Sequence, residues 1–190
     1  MKKTLVILAG GKSKRMGTNK ALLKVGDKTL IEHMVSIFKE HFDEIILSVN
    51  EAGNFKDLNL NVLEVEDIHK GIGPIGGFHA VFSKTSVDKF FACAVDTPFV
   101  MPSAAVEMME LSEEVDVCAL LKEDDKTEPL FAVYSRSCLP EIEKMIEHKD
   151  YRLKSLFEKV NVKYIHKYDL NKSFANLNTR EDYEEALKDL

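Results

Sequence analysis

The segment 89–95 (KFFACAV) constrains the fold more strongly than any other part of this 190-residue chain. It shows no alternation of polar and apolar side chains, so a strand formed here would be buried on both faces. Such strands are typical of the centre of a parallel sheet that helices cover on both sides. Further apolar segments predict strands at residues 4–9, 44–49, 61–65, 115–121, 130–134 and 161–166.

Helical patterns lie between these strands. Thr29 and Glu32 form a capping-box pattern, in which each side chain can satisfy a free amide at the start of a helix. Helices are predicted after Thr29 and at residues 76–84, 102–111, 140–146, 153–160 and 179–187. The alternation of strands and helices predicts a single domain over residues 1–190, with a Rossmann-like three-layer α/β/α architecture and a mostly parallel sheet.

Composition excludes several classes of partner. The net charge of −6 argues against binding to nucleic acid or to an anionic membrane surface, and the apolar runs are too short for a transmembrane helix. An anionic ligand would therefore need a local positive site. The three cysteines, Cys93, Cys118 and Cys138, form no CxxC pair, which favours reduced, mostly buried thiols in a cytoplasmic protein.

A glycine-rich basic loop follows the first predicted strand directly. It reads LAGGKSKRMGTNK over residues 8–20 and carries four cations, Lys12, Lys14, Arg15 and Lys20. Glycines let the backbone amides approach phosphate oxygens, and Arg and Lys add the positive charge that a triphosphate requires. The P-loop pattern GxxxxGK[ST] does not fit, since Arg15 or Met16 stands where its second glycine belongs.

A second glycine segment, residues 71–76 (GIGPIG), matches the dinucleotide fingerprint GxGxxG, with Asp96 about twenty residues further on. Two features weigh against that interpretation. Residues 66–70 separate the glycines from their strand, and Pro74 lacks an amide that would face a pyrophosphate. We therefore interpret the segment as a second loop that faces the ligand and opens a helix.

Asp96 follows the most apolar predicted strand, where open α/β sheets bind their ligands. Mg²⁺ is often held by one or two carboxylates together with substrate phosphates, so Asp96 is the best candidate for a metal ligand. Asp67 and Asn50 end two neighbouring strands, and Asp67 could accept hydrogen bonds from the N–H groups of a purine. Asn176 and Asn178 could return to the site or cap the last helix.

Taken together and in this order, the motifs resemble those of the molybdenum cofactor guanylyltransferase family (MobA). They are the loop 8–20, Asp67 followed by GPIGG at residues 73–77, DTPF at residues 96–99 and NLNTRED at residues 176–182. Two positions depart from the family pattern without removing a predicted ligand: Asn19 replaces an Asp, and Val95 replaces a Cys.

The resemblance implies a nucleotide-diphospho-sugar transferase-like fold with a late antiparallel strand. It implies transfer of GMP from GTP to molybdopterin-bound molybdenum, with pyrophosphate released and Mg²⁺ as the cofactor. Arg15, Lys20 and Asp96 are the implied catalytic residues, and Asn176 and Asn178 are candidates for the acceptor. The implied GTP contacts are Leu8, Ala9, Gly10, Gly11, Lys20, Asn50, Asp67 and Asp96. Chaperones of molybdenum enzymes are candidate partners.

Three alternatives stay open at this point. The first is a related nucleotidyltransferase that uses CTP or a sugar phosphate, and Asp67 is the feature expected to separate the two by reading guanine. The second is an NAD(P)-binding oxidoreductase built on the literal GxGxxG. The third is a partner protein that binds GTP without catalysis, which an intact Asp96 argues against.

Overall fold

The computed structural model describes residues 2–10, 19–98, 100–121 and 126–166. Within these ranges the strands are β1 (Thr4–Leu8), β2 (Lys24–Val25), β3 (Lys28–Thr29), β4 (Glu44–Val49), β5 (Leu63–Glu66), β6 (Lys89–Ala94), β7 (Val117–Leu121), β8 (Thr127–Ser135) and β9 (Val162–His166). Seven of them form one sheet in the order β5-β4-β1-β6-β8-β7-β9. The predicted strand 89–95 thus lies at the centre of the sheet, as its apolar sequence requires.

Among the described strands of this sheet, β8 runs against the others. It pairs in antiparallel fashion with β6 and β7, whereas β1 pairs in parallel with β4 and β6, and β7 with β9. The predicted α/β class, with a mostly parallel sheet and a late antiparallel strand, is confirmed. Because β8 runs in reverse, its first residues lie at the edge where the parallel strands end.

Helices cover both faces of the sheet. They are α1 (Leu30–Phe38), α2 (Pro74–Lys84), α3 (Pro102–Leu111), α4 (Leu139–Glu147) and α5 (Leu153–Phe157). Leu5 and Ile7 of β1 pack into the core that holds α1 and α3, while Val6 between them packs into the core that holds α2, α4 and α5. This alternation is the period-two pattern of a strand buried on both faces.

Local sequence explains how the main helices begin. Thr29 and Glu32 form the predicted capping box at the start of α1, with the Thr29 amide donating to Glu32 Oε2 at 2.7 Å. α2 begins at Pro74, two residues before the predicted start, because proline at the first helical position needs no amide partner. α5 ends at Phe157 rather than at residue 160. The predicted helix at 179–187 lies outside the described residues.

The strand predicted at 61–65 begins later, at Leu63. Asn59 and Asn61 adopt positive φ angles of 47° and 52°, and asparagine tolerates this left-handed backbone better than most residues. The chain therefore turns through residues 59–61 before it can extend. The sequence-based boundary was two residues too early for this reason.

A short hairpin, β2–β3, was not predicted. Its two strands pair Lys24 with Thr29 and Val25 with Lys28 around Gly26, whose φ is 59°. Gly26 and Asp27 are a recognised two-residue hairpin signal, but strands of two residues are too short to show any periodicity. The hairpin leads the chain from the ligand edge of the sheet into α1.

All three cysteines are free and buried, as the sequence predicts. Burial raises the pKa of Cys118 to about 11 and that of Cys138 to about 12, and it raises the pKa of Cys93 further. Such thiols stay protonated near neutral pH and are poor nucleophiles. Within the described residues, no helix has the length and apolar character needed to cross a membrane.

Candidate active site

A cleft of about 240 Å³ opens at the edge of the sheet where β1, β4, β5 and β6 end. This is where open α/β sheets bind ligands. The lining residues come from the ends of β1, β4, β5 and β6, from positions 19 and 20, from the start of α2 and from the first half of β8: Leu8, Ala9, Gly10, Asn19, Lys20, Ser48, Asp67, Gly73, Pro74, Gly77, Ala94, Val95, Asp96 and Leu130. Among its described lining residues, the cleft thus combines two carboxylates, one ammonium group and several glycines.

Hydrogen bonds continue the sheet beyond the strand ends and fix the cleft's backbone. The Ala9 amide donates to Ser48 O at 3.0 Å, the Val95 amide to Leu8 O at 3.2 Å and the Asp67 amide to Val49 O at 2.9 Å. The first residue after each of β1, β5 and β6 is therefore fixed by a hydrogen bond of the kind that joins the strands. A rigid backbone favours precise placement of a ligand.

Gly10 lies directly against Asn50. A Cβ atom added at Gly10 would stand 3.0 Å from the Asn50 amide nitrogen and 3.3 Å from its Cγ. Glycine is needed here because the loop after β1 passes this close to the end of β4. Asn50 supports the glycine loop from behind but is not among the residues that line the cleft.

Lys20 and Asp96 form an ion pair inside the cleft. Lys20 Nζ lies 3.0 Å from Asp96 Oδ2, and the two side chains are only 20% and 22% exposed. Lys20 opens a short 3₁₀ helix, Lys20–Leu22, whose first turn Asn19 caps by accepting from the Ala21 amide at 3.1 Å. An acidic and a basic side chain from distant segments therefore meet where the strands end.

The turn after β6 fixes the position of Asp96. Thr97 donates from its hydroxyl to Ala94 O at 2.7 Å, and the Val100 amide donates to Thr97 O at 3.3 Å. Pro98 O lies 3.3 Å from His33 Nε2 on α1. These contacts bend the chain sharply away from the sheet and leave the Asp96 carboxylate facing the cleft.

Asp67 lies at the other side of the cleft, after β5, and its carboxylate is oriented by Ser48. The buried Ser48 hydroxyl donates to Asp67 Oδ1 at 3.2 Å. Burial raises the pKa of Asp67, and the bond from Ser48 together with the nearby Lys84 opposes that rise. A half-buried carboxylate with one oxygen already bonded is suited to accept hydrogen bonds from a ligand's N–H groups.

The start of α2 forms the floor of the cleft. Gly73 has φ 81° and ψ −163°, a backbone conformation that essentially only glycine adopts. A Cβ atom at Gly77 would lie 2.2 Å from Ser48 Oγ, so α2 approaches β4 more closely than any other residue would allow. The glycine segment thus faces the cleft and opens a helix, as the sequence predicts.

The cleft brings together most of the predicted site residues. Leu8, Ala9, Gly10, Lys20, Asp67 and Asp96 all line it. Asn50 stands beside it, and Gly11, Arg15, Asn176 and Asn178 lie outside the described residues. Their roles toward a ligand stay predictions. Sequence reasoning missed Ser48, which looks like an ordinary strand residue, and Leu130, which reaches the cleft only because β8 runs antiparallel.

Residues 5–164 match the family profile described as the MobA-like NTP transferase domain. The chain belongs to this family. Its membership confirms the predicted resemblance and the nucleotidyltransferase class, and it favours that class over the oxidoreductase suggested by the GxGxxG pattern.

Relatives match over nearly their whole length. A probable molybdenum cofactor guanylyltransferase from Pelotomaculum thermopropionicum is 38% identical over 96% of this chain and 91% of its own length. One from Carboxydothermus hydrogenoformans is 34% identical over 97% of this chain and 95% of its own length. The crystal structure of molybdopterin-guanine dinucleotide biosynthesis protein A from Archaeoglobus fulgidus is 27% identical, with a TM-score of 0.81 and 97% of each chain covered.

Proposed function

We propose that this protein transfers GMP from GTP to the phosphate of a molybdopterin-type acceptor and releases pyrophosphate. The observation that carries the proposal is the pairing of Lys20 with Asp96 in the same cleft as Asp67. The charged pair suits the phosphates, and the Asp67 carboxylate, three strands away from Asp96 along the sheet, suits the base. The names of the relatives supply the acceptor class.

Asp67 would read the base. Guanine presents two adjacent N–H donors on one edge, and a carboxylate can accept from both. Adenine presents an acceptor beside its amino group at the corresponding edge, and cytosine does likewise, so neither offers the same pair of donors. Ser48 holds the carboxylate from its buried side, which leaves its acceptor capacity for the base.

Lys20 would act on the phosphates. The acceptor phosphate oxygen attacks the α-phosphorus of GTP in line, a new P–O bond forms, and the bond to the β-phosphate oxygen breaks with its electron pair leaving on pyrophosphate. Negative charge accumulates on the departing oxygens, and the ammonium group of Lys20, already held in the cleft, would stabilise it. Arg15 is the second predicted cation for this task. No general base is required, because a phosphate monoester is already ionised near neutral pH.

Asp96 is suited to bind a magnesium ion that is also coordinated by the phosphates of the substrate. Within the described residues, no group of three or more His, Cys, Asp or Glu side chains could hold a metal ion alone. One carboxylate plus substrate phosphates is, however, a common coordination for Mg²⁺, and Asp96 supplies that carboxylate. When bound, the ion would supply positive charge to the phosphate oxygens. Lys20 would then turn from Asp96 toward the phosphates.

Calorimetric titration of the protein with nucleotides in Mg²⁺ tests the proposal. GTP should bind, while ATP, CTP and NADH should bind about tenfold or more weakly, since each loses the paired contacts to Asp67. Asp67→Asn should remove the preference for GTP, and Asp57→Asn, which changes an exposed carboxylate elsewhere, should keep it. Preference for CTP would keep the nucleotidyltransferase class but contradict the base assignment, and binding of NADH alone would contradict the proposal.

We expect a single domain over residues 1–190, a cytoplasmic location, and chaperones of molybdenum enzymes as partners. We also expect Asn176 and Asn178 to contribute to binding of the acceptor.

A further inference from the structure

The loop between β5 and α2, residues 67–73, contributes to the nucleotide cleft at both of its ends. Asp67 at its start and Gly73 at its end line the cleft, and Pro74 follows as the first residue of α2. Residues 68–72 are not among the lining residues. Because the loop is short, contacts that hold its middle also restrict where the Asp67 carboxylate lies.

The middle of this loop packs against α2 at two points. A Cβ atom added at Gly76 would stand 2.8 Å from the His69 carbonyl oxygen and 2.9 Å from Ile72 Cγ1, so the loop backbone touches the helix there. Further along α2, the His69 ring lies against the His79 ring, with 5.1 Å between the ring centroids and 50° between the planes. The two contacts together hold the loop against the helix.

His79 is a buried histidine, with 9% of its surface exposed, whereas its partner His69 is exposed. Its Nε2 atom lies 3.4 Å from Ser83 Oγ and 4.0 Å from Glu143 Oε1 on α4. Its Nδ1 atom is buried and has no hydrogen-bond partner among the described residues. A neutral imidazole can leave one nitrogen without a proton, but an imidazolium carries an N–H at both, so protonation of His79 would bury a donor without an acceptor.

The charges around the two rings also disfavour a proton on His79. Burial lowers the pKa of His79, the neighbouring His69 lowers it further, and Glu143 opposes both effects. The Glu143 side chain is 54% exposed, so water screens its attraction. Glu66 and Lys70, on either side of His69 in the chain, pair with each other at 2.8 Å. Two protonated rings would therefore repel each other across a short distance with little compensation.

We propose that the contact between His69 and His79 positions the loop that carries Asp67, and that protonation of the two rings releases the loop and weakens nucleotide binding. His79 is a positioning residue, because it acts on the nucleotide only through His69 and the loop. The inference rests on the proposed function, in which Asp67 contacts the base of GTP, and it adds control of that contact from outside the cleft. By linkage, acid weakens GTP binding, and bound GTP makes the rings harder to protonate.

Calorimetric titration of the full chain with GTP and Mg²⁺ at pH 7.5 and at pH 5.0 tests the inference, with the ratio of the two Kd values as the readout. His79→Phe and His69→Phe each keep an aromatic ring at the contact but remove a titrating group. Each should lower the ratio about threefold or more relative to the wild type, because one proton that opposes binding weakens it by up to about tenfold per pH unit below its pKa. Titration of Asp67 contributes to the ratio in every protein, so the difference between proteins reports the histidine pair.

His41→Phe is the matched control, since it makes the same change at an exposed histidine after α1. It should keep the wild-type ratio. His69 is exposed, so His69→Phe tests the contact without disturbing the core should His79→Phe fail to fold. Proton NMR of the His79 ring in the wild type adds a measurement that needs no variant, and GTP should lower the pKa of His79 further.

The outcomes separate the inference from the proposed function. If the wild type binds GTP and both histidine variants keep the wild-type ratio of Kd values, the inference is wrong while the proposed function stands. If bound GTP leaves the pKa of His79 unchanged, the inference is also wrong. If the wild type binds no GTP at either pH, the proposed function is wrong, and the inference is overturned with it.

Discussion

Lys20 and Asp96 lie 76 positions apart in the sequence and meet as an ion pair of 3.0 Å at the ligand edge of the sheet. The pair joins the loop after β1 to the turn after β6. It holds opposite charges at the place where the proposed reaction develops negative charge. The pair is therefore the feature of this cleft most directly linked to phosphate chemistry.

Replacing Asp96 by Asn should abolish most of the turnover while leaving the fold intact. The amide keeps the size of the side chain but loses the negative charge that pairs with Lys20 and would hold Mg²⁺. We expect kcat to fall by about 10²–10³-fold or more, with Tm changed by less than about 4 °C, since a partly exposed ion pair contributes little to stability. Initial rates and thermal unfolding check both statements, and near-normal kcat would contradict the metal assignment.

Replacing Asp67 by Asn should stabilise the fold at neutral pH and weaken GTP binding. Burial raises the pKa of Asp67 in the folded state, so the stability that its protonated form contributes is present at low pH and is lost as pH rises through that pKa. An uncharged Asn avoids this loss. Thermal unfolding from pH 3 to pH 8 should show the variant above the wild type at neutral pH, with the difference shrinking as pH falls. A variant less stable than the wild type at neutral pH would contradict a raised pKa of Asp67 in the folded state.

Replacing Gly77 by Ala should destabilise the protein by about 1–3 kcal/mol, the usual cost of overpacking. The new methyl group would meet Ser48 Oγ at 2.2 Å, and Leu8 Cδ2 at 3.1 Å. Combining it with Ser48→Ala removes the oxygen, so the double variant should lose less stability than the two single changes summed. Chemical denaturation of all four proteins measures this coupling. Strict additivity would show that the contact between α2 and β4 is not as close as described.

Replacing Arg136 by Ala should lower stability by about 2–4 kcal/mol without altering the nucleotide cleft. The guanidinium donates to three backbone carbonyls at and beyond the end of α2, those of Phe82, Thr85 and Val87, at 2.6, 2.8 and 2.5 Å. Without the guanidinium, these part-buried carbonyl oxygens lose their hydrogen-bond donor. Denaturant unfolding gives the loss of stability, and GTP affinity measured on the folded protein serves as the control. Arg136→Lys should recover only part of the loss, because an ammonium cannot span three carbonyls.

The parts of this structure that follow from local pattern could be predicted from the sequence. The apolar run of β6 located the centre of the sheet, and with it the position of Asp96 at the edge where ligands bind. Thr29 and Glu32 predicted the start of α1 because a capping box involves only residues three apart. Lys20 was expected in the site since it closes a glycine loop that follows a buried strand directly.

The features that depend on packing between distant segments could not be predicted. Ser48 orients Asp67 only because β4 and β5 pair in one specific register, in which Ser48 stands opposite Val65. The antiparallel direction of β8 brings Leu130 to the nucleotide cleft, whereas its sequence shows only an apolar strand.

The proposed function is tested most directly by measuring the transfer of labelled GMP from α-labelled GTP to molybdopterin by the purified protein in Mg²⁺. The same measurement with α-labelled CTP gives the comparison. We expect a labelled pterin dinucleotide and one pyrophosphate per transfer with GTP, and little product with CTP. Equal or faster transfer from CTP would contradict the role of Asp67, and pyrophosphate release without a labelled product would contradict the proposed acceptor.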